Sequence, residues 1–173
     1  MKPPKRRSGT MDTSTIPASG PTIRSLTKTA RLDTDVRTAW EGWASAEGLT
    51  AWWQASETKI DLRIGGPFEI YFDMDAEQGL RGSEGCRYLS YVPGEMVSFT
   101  WNAPPHLPLR SANTWVVVTF TATADGGTEI RLVHTGFLDG ADWDDYRNYF
   151  DSAWEFVLGL QQQHHANPTP DHD

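Results

Sequence analysis

The tightest constraint on the fold lies between Thr114 and Phe137, where two β-rich runs flank Asp125-Gly126-Gly127. Trp115 to Thr121 precedes the glycines, and Thr128 to His134 follows them. β-Branched and aromatic side chains suit a pleated surface. The two glycines supply the positive φ angles of a tight hairpin. The period then changes. Trp143, Tyr146, Phe150, Ala153, Trp154 and Val157 recur at spacings of three and four, which is a helix. A long hairpin feeding one aromatic-rich C-terminal helix predicts a curved sheet closed by that helix, with a cavity between them.

Upstream, the patterns support the same architecture. Thr22 to Leu32 alternates weakly and reads as a first strand. Asp33-Thr34-Asp35 opens a helix with Thr34 as the expected N-cap, and Val36, Ala39, Trp40 and Trp43 form its apolar face. Ser45 caps a second short helix that ends near Trp52-Trp53. Thr58, Ile60, Leu62 and Ile64 then share one strand face, and Phe68, Ile70, Phe72 and Met74 share another. A less regular strand spans 81–92, the next runs from Met96 to Trp101, and the prolines of 102–112 mark a loop. Hairpin-length connections make the sheet antiparallel. The fold class is therefore α+β: a curved antiparallel sheet of about six to seven strands, two short helices, and one long helix over about 142–161. Residues 1–21 are expected to be a disordered leader, with Met11 as a second candidate start. Residues 22–161 form the domain, and 162–173 a disordered tail.

Charge narrows the partners. The net charge is −8, unevenly spread. Lys2, Lys5, Arg6, Arg7, Arg24, Lys28 and Arg31 against Asp12 give residues 1–31 a charge of +6, leaving −14 for the rest. An acidic body argues against nucleic acid and anionic membranes. The single cysteine, Cys86, excludes an intramolecular disulfide and fits a reducing cytoplasm. No apolar run reaches transmembrane length, and no signal peptide is visible.

Strand alternation nominates inward-facing groups. His134 shares a face with Ile130 and Leu132, so it is either a ligand contact and general base or a core histidine bonded within the protein. Cys86 and Tyr88 share another face. No base pattern marks Cys86 as a nucleophile, and an inert buried thiol is the plainer reading. Trp101, Trp143, Trp154, Phe68, Phe72 and Phe150 are the aromatic candidates for a cavity wall, with plain core packing as the alternative for each. Trp52-Trp53 is expected at the sheet rim. Asp139, Asp142, Asp144 and Asp145 suit a helix N-terminus better than a cation site. His164, His165 and His172 fall in the expected tail. No phosphate loop, zinc-protease motif, nucleophile elbow or triad is present, so neither metal nor cofactor is expected.

The order of these pieces resembles the START/Bet v 1-like (SRPBCC) superfamily and its helix-grip fold. It is similar, within that superfamily, to the family named for the C-terminal domain of the Hsp90-ATPase activator. The resemblance is carried by Val36 to Trp43 with Trp52-Trp53, and by Ile64-Gly65-Gly66-Pro67-Phe68. Gly85 to Pro93, Phe99-Thr100-Trp101, Gly127-Thr128-Glu129 and His134-Thr135-Gly136-Phe137 continue it, and the aromatic last helix completes it. It covers roughly residues 22–161. It implies a deep cavity between sheet and long helix, without fixing a ligand.

Three functions compete. The leading expectation is a binding module for a small hydrophobic or aromatic molecule, with the wall built from Phe68, Phe72, Cys86, Tyr88, Trp101, His134, Trp143, Phe150 and Trp154. The alternative is an enzyme of polyketide cyclase or dehydratase type, in which His134, with Tyr88, would act as acid and base. The third is a chaperone-linked interaction protein. The resemblance covers one domain only, which argues against direct stimulation of a chaperone ATPase. Whether the chain forms a homodimer is left open.

Overall fold

In the computed structural model, which describes residues 22–166, the diglycine turn joins β6 (Thr114–Ala122) to β7 (Thr128–Phe137). The pair runs from Ala122 opposite Thr128 to Trp115 opposite Thr135, and Gly126 takes φ 86° at the turn. β1 (Arg24–Leu32) lines the far side of β7, β5 (Met96–Trp101) pairs with β6, and β4 (Tyr88–Val92) pairs with β5. All pairings are antiparallel, in the order β1-β7-β6-β5-β4. One face is apolar: Leu26, Ala30, Ile130, Leu132, Val116, Val118, Val97 and Phe99 are buried on it. The reverse face is wet, as antiparallel sheets allow.

Helices α1 (Val36–Ala44) and α2 (Ala46–Trp52) cover one end of the buried face, and α3 (Ala141–Ala166) covers the rest. α3 is fastened along β1. Asp144 pairs with Arg24 at 2.6 Å, Arg147 Nε donates to the Ser25 carbonyl at 3.3 Å, Lys28 reaches Asp151 at 3.2 Å, and Gln162 Nε2 donates to the Arg31 carbonyl at 3.1 Å. These positions recur at helical spacing on one face. Exposed pairs of this kind contribute little energy each, on the order of 1 kcal/mol or less. Their effect is to fix where the helix lies over the sheet.

Several expected boundaries shift. β2 (Glu57–Ile60) stops short because residues 61–66 fold into turns, with Arg63 N bonded to the Asp61 carbonyl and Gly66 N to the Arg63 carbonyl, both at 2.8 Å. Ile64 is therefore 75% exposed and leaves the face assigned to it. β3 (Phe68–Tyr71) likewise ends before Phe72 and Met74. The expected strand over 81–92 begins only at Tyr88. Residues 81–87 instead bridge β3 singly, Tyr71 to Gly82 and Pro67 to Arg87, so β2-β3 is a separate two-stranded sheet. Gly82 is required there, since a Cβ would lie 1.9 Å from the Ile70 carbonyl oxygen. Asp35, not Thr34, caps α1. Its carboxylate accepts from Arg37 N and Thr38 N at 3.0 Å, whereas the Thr34 carbonyl is held by Thr128 Oγ1 at 2.9 Å. α3 continues to Ala166, so residues 162–166, expected as tail, are helical. The expected leader, and the tail from 167 with His172, lie outside the described residues.

A β-bulge ends β7. Arg24 faces Phe137 while Ser25 faces Thr135, which leaves Gly136 unpaired at φ 102°. One extra residue reverses the alternation. Phe137 would otherwise point to solvent; it turns inward, becomes fully buried and packs 4.5 Å from the His134 ring. A Cβ on residue 136 would also meet the Trp115 ring at 2.8 Å. Gly136→Ala is therefore expected to cost at least about 2 kcal/mol, from positive φ and the clash together. Gly159→Ala, on α3 with open space around it, should instead stabilise by about 0.5–1 kcal/mol. Urea unfolding of the two variants checks both; equal midpoints would refute the bulge assignment.

Candidate functional site

The buried face carries one polar chain through an otherwise aromatic core. Trp154 Nε1 on α3 donates to His134 Nδ1 on β7 at 2.9 Å. That bond leaves Nδ1 without a proton, so the neutral ring carries its proton on Nε2, which donates to Thr114 Oγ1 on β6 at 2.6 Å. Thr114 Oγ1 passes its own proton to the Trp101 carbonyl at 3.0 Å and receives the Tyr146 hydroxyl at 2.9 Å. Every donor of the chain finds an acceptor, and the Tyr146 hydroxyl also lies 3.4 Å from the Trp101 carbonyl. Burial drives the His134 pKa down to about 3. A protonated ring would set Nδ1–H against the Trp154 N–H. Both ring nitrogens are engaged within the protein, and His134 links Trp154 on α3 to Thr114 on β6.

Next to this chain the core opens. A cleft of about 430 Å³ lies between α3 and the loops that follow β3 and β5. Trp53, Trp101, Phe150 and Trp154 form its inner wall. Trp101 and Trp154 stand 5.4 Å apart, Trp53 and Trp101 5.9 Å. Phe72 and Phe156, 46% and 62% exposed, edge its mouth with Tyr149 and Leu80. Asn102, Arg81, Arg110, Asp73 and Ser83 supply the polar part.

The expected wall residues separate into two groups. Phe72, Trp101, Phe150 and Trp154 line the cleft, and Trp53, expected at the rim, is buried in its inner wall. Phe68, Cys86, Tyr88, His134 and Trp143 do not. Phe68 stacks on Phe99 at 3.9 Å in the solid core. Tyr88 gives its hydroxyl to the Trp43 carbonyl at 2.7 Å, and burial raises its pKa. Burial pushes the Cys86 thiol up to about 12, so it is no nucleophile at neutral pH. Trp143 stacks on Tyr146 one turn too early along α3. Asp139 and Asp144 both meet Arg24. Alternation gave the inward face correctly but could not separate filled from open space, because the tryptophans fill most of the interior.

Tyr149, Ala153, Phe156 and Leu160 were missed, although their spacing of four, three and four is a second apolar row beside the sheet-facing one. Arg81 and Arg110 come from irregular loops and leave no periodic signal.

The His134 chain predicts an acid dependence. Its folded pKa of about 3 lies below the ordinary 6.5, so the unfolded chain takes up the proton first. The stabilisation is complete above about pH 6.5 and is lost as pH falls toward 3. His134→Gln keeps an acceptor for Trp154 but cannot titrate. Between pH 6.5 and 4.5 the wild type should lose about 2 kcal/mol more than this variant in urea unfolding. Parallel pH profiles would show that His134 is not held neutral.

The model for activator of Hsp90 ATPase homolog 1-like proteins matches residues 33–161, most of the chain. No curated protein matches. Among solved structures, protein MLL2253 from Mesorhizobium loti is similar at 19% identity and TM-score 0.64, over 81% of this chain and 95% of that one. CalU16 from Micromonospora echinospora follows at 21% identity and TM-score 0.60, over 86% and 79%. The Aha1 dimer from Colwellia psychrerythraea is similar at 13% identity and TM-score 0.60, over 82% and 96%. These likenesses share the helix-grip fold. Among the described residues no helix is long and apolar enough to cross a membrane. The chain belongs to the family of activator of Hsp90 ATPase homolog 1-like proteins.

Proposed function

We propose that this protein binds a small hydrophobic or aromatic molecule in the cleft beneath α3. The supporting observation is the cleft itself: about 430 Å³, walled by Trp53, Trp101, Phe150 and Trp154, with exposed Phe72 and Phe156 at its mouth. Aromatic walls with a few polar groups are the usual composition of a ligand pocket. A cyclase or dehydratase reading lacks a matching observation, since both nitrogens of His134 and the hydroxyl of Tyr88 are already engaged. The lone buried thiol supports a cytoplasmic setting. Pairing of two copies draws support from the dimer named for the Colwellia relative.

Ala153 lines the cleft from α3. Ala153→Phe should fill it, and Phe72→Ala should open its mouth without touching the core. The neutral dye N-phenyl-1-naphthylamine is expected to brighten with wild type. Affinity should drop about fivefold in Phe72→Ala and be lost in Ala153→Phe. Equal binding by wild type and Ala153→Phe would defeat the cleft as the site.

A further inference from the structure

Four buried indoles donate their N–H within the protein. Trp40 donates to the Met96 carbonyl at 3.1 Å, Trp43 to Gln161 Oε1 at 3.0 Å, and Trp52 to the Gly42 carbonyl at 2.9 Å. Trp154 donates to His134. Trp101 is 4% exposed and lines the cleft, yet its Nε1 has no acceptor among the described residues. Buried donors are almost always paired. An orphan in a cleft wall is therefore a place where a ligand acceptor gains more than it would elsewhere.

The two cations of the same cleft are held by hydrogen bonds to neutral groups. The Arg110 guanidinium is tied through both terminal nitrogens to neutral acceptors only: Asn102 Oδ1 at 3.0 Å and the carbonyls of Ala103, Gly79 and Gly82 at 2.5, 2.7 and 2.5 Å. Burial lowers its pKa, though a guanidinium stays charged. Arg81 is anchored through Nε to the Ala76 carbonyl at 3.0 Å. Among the described residues neither arginine has a carboxylate within 4.0 Å. Glu84, the nearest acid in sequence, is taken by the backbone N–H of Arg81 at 2.8 Å. Asp73, the acid of the cleft wall, accepts the Asp75 amide at 3.0 Å. The cations and the orphan donor belong to adjoining chain: Asn102, which holds Arg110, follows Trp101 directly. Phe156, Val157 and Leu160 on α3 add apolar wall.

We infer that the ligand is a small aromatic carboxylate. Its ring lies among Trp53, Trp154 and the α3 side chains; its carboxylate faces Arg81 and Arg110 and accepts the Trp101 N–H. This rests on the binding function proposed above. A cationic ligand would meet two guanidinium groups, and a neutral one would offer no charge-assisted acceptor to the terminal N–H groups of Arg81, which have no hydrogen-bond partner among the described residues. A planar carboxylate matches the charge of both arginines and the free fork of Arg81, while the four terminal N–H groups of Arg110 already have acceptors.

The test compares 2-naphthoate with 2-acetylnaphthalene, which keeps the ring and the carbonyl but not the charge. Titration calorimetry of the full chain should show at least about a tenfold preference for the acid, the scale of one charge-assisted hydrogen bond. Trp101→Phe keeps an aromatic wall without the N–H, and Arg81→Gln removes a half-buried cation without entering the core. Each should cut the preference severalfold, so loss of fold in one leaves the other decisive. Equal affinity of the acid and the ketone would overturn the carboxylate assignment while leaving the cleft as a binding site. A preference unchanged in both variants would overturn it too. If neither probe, nor the neutral dye, binds, the binding function fails with it.

Discussion

The hydrogen bond from Trp154 to His134 sets the geometry on which the cleft depends. It is the point where α3 is tied through the apolar layer to the sheet, and it continues through Thr114 to the backbone of Trp101. In a low-dielectric core such a chain is stabilising only when every member is satisfied. Its members agree on one tautomer of one histidine, which fixes the orientation of the Trp154 indole and holds the backbone carbonyl of Trp101. Dispersion alone would let large flat rings settle in several arrangements. The polar chain selects one, and the inner wall of the cleft follows from it.

The outer ties along β1 act differently. Arg24, Lys28 and the carbonyls of Ser25 and Arg31 meet α3 at successive turns, mostly in water. They hold the helix against sliding while contributing little stability. The inner chain and outer ties lie on opposite sides of the helix's contact with the sheet, so α3 is fixed in both rotation and translation. The row of Tyr149, Ala153, Phe156 and Leu160 is then free to face the cleft. The bulge at Gly136 belongs to the same device, because it turns Phe137 inward to pack against the His134 ring.

Much of the fold was legible because its signals are periodic. The β6-β7 hairpin announced itself through a diglycine between β-branched runs, and α3 through its three-and-four spacing. β2 and β3 were read too long because alternation continues through Leu62, Ile64, Phe72 and Met74, although turn hydrogen bonds there outcompete pairing. Thr34 and Asp35 are both good caps by residue type, and the structure uses the Asp35 carboxylate. At the site, Phe72, Trp101, Phe150 and Trp154 were found through the faces they share. Phe68 and Tyr88 obey the same alternation yet face filled core, a distinction set by how eight tryptophans pack in three dimensions. Arg81 and Arg110 act through carbonyls of loops, and no spacing rule reaches those.

The electrostatics of the whole chain and of the cleft pull in opposite directions. From residue 32 onward the chain carries −14, which would repel an anion approaching from bulk. At physiological ionic strength that field decays over about 8 Å. At contact a ligand would meet two arginines that form no direct ion pair among the described residues, set in an apolar wall where screening is weak. Such an arrangement slows encounter with anions in general and favours those whose ring can also fill the aromatic wall. Charge alone would admit any small anion, and the wall alone any oily molecule. On the inference drawn above, requiring both would make the cleft selective and would reconcile an acidic protein with an acidic ligand.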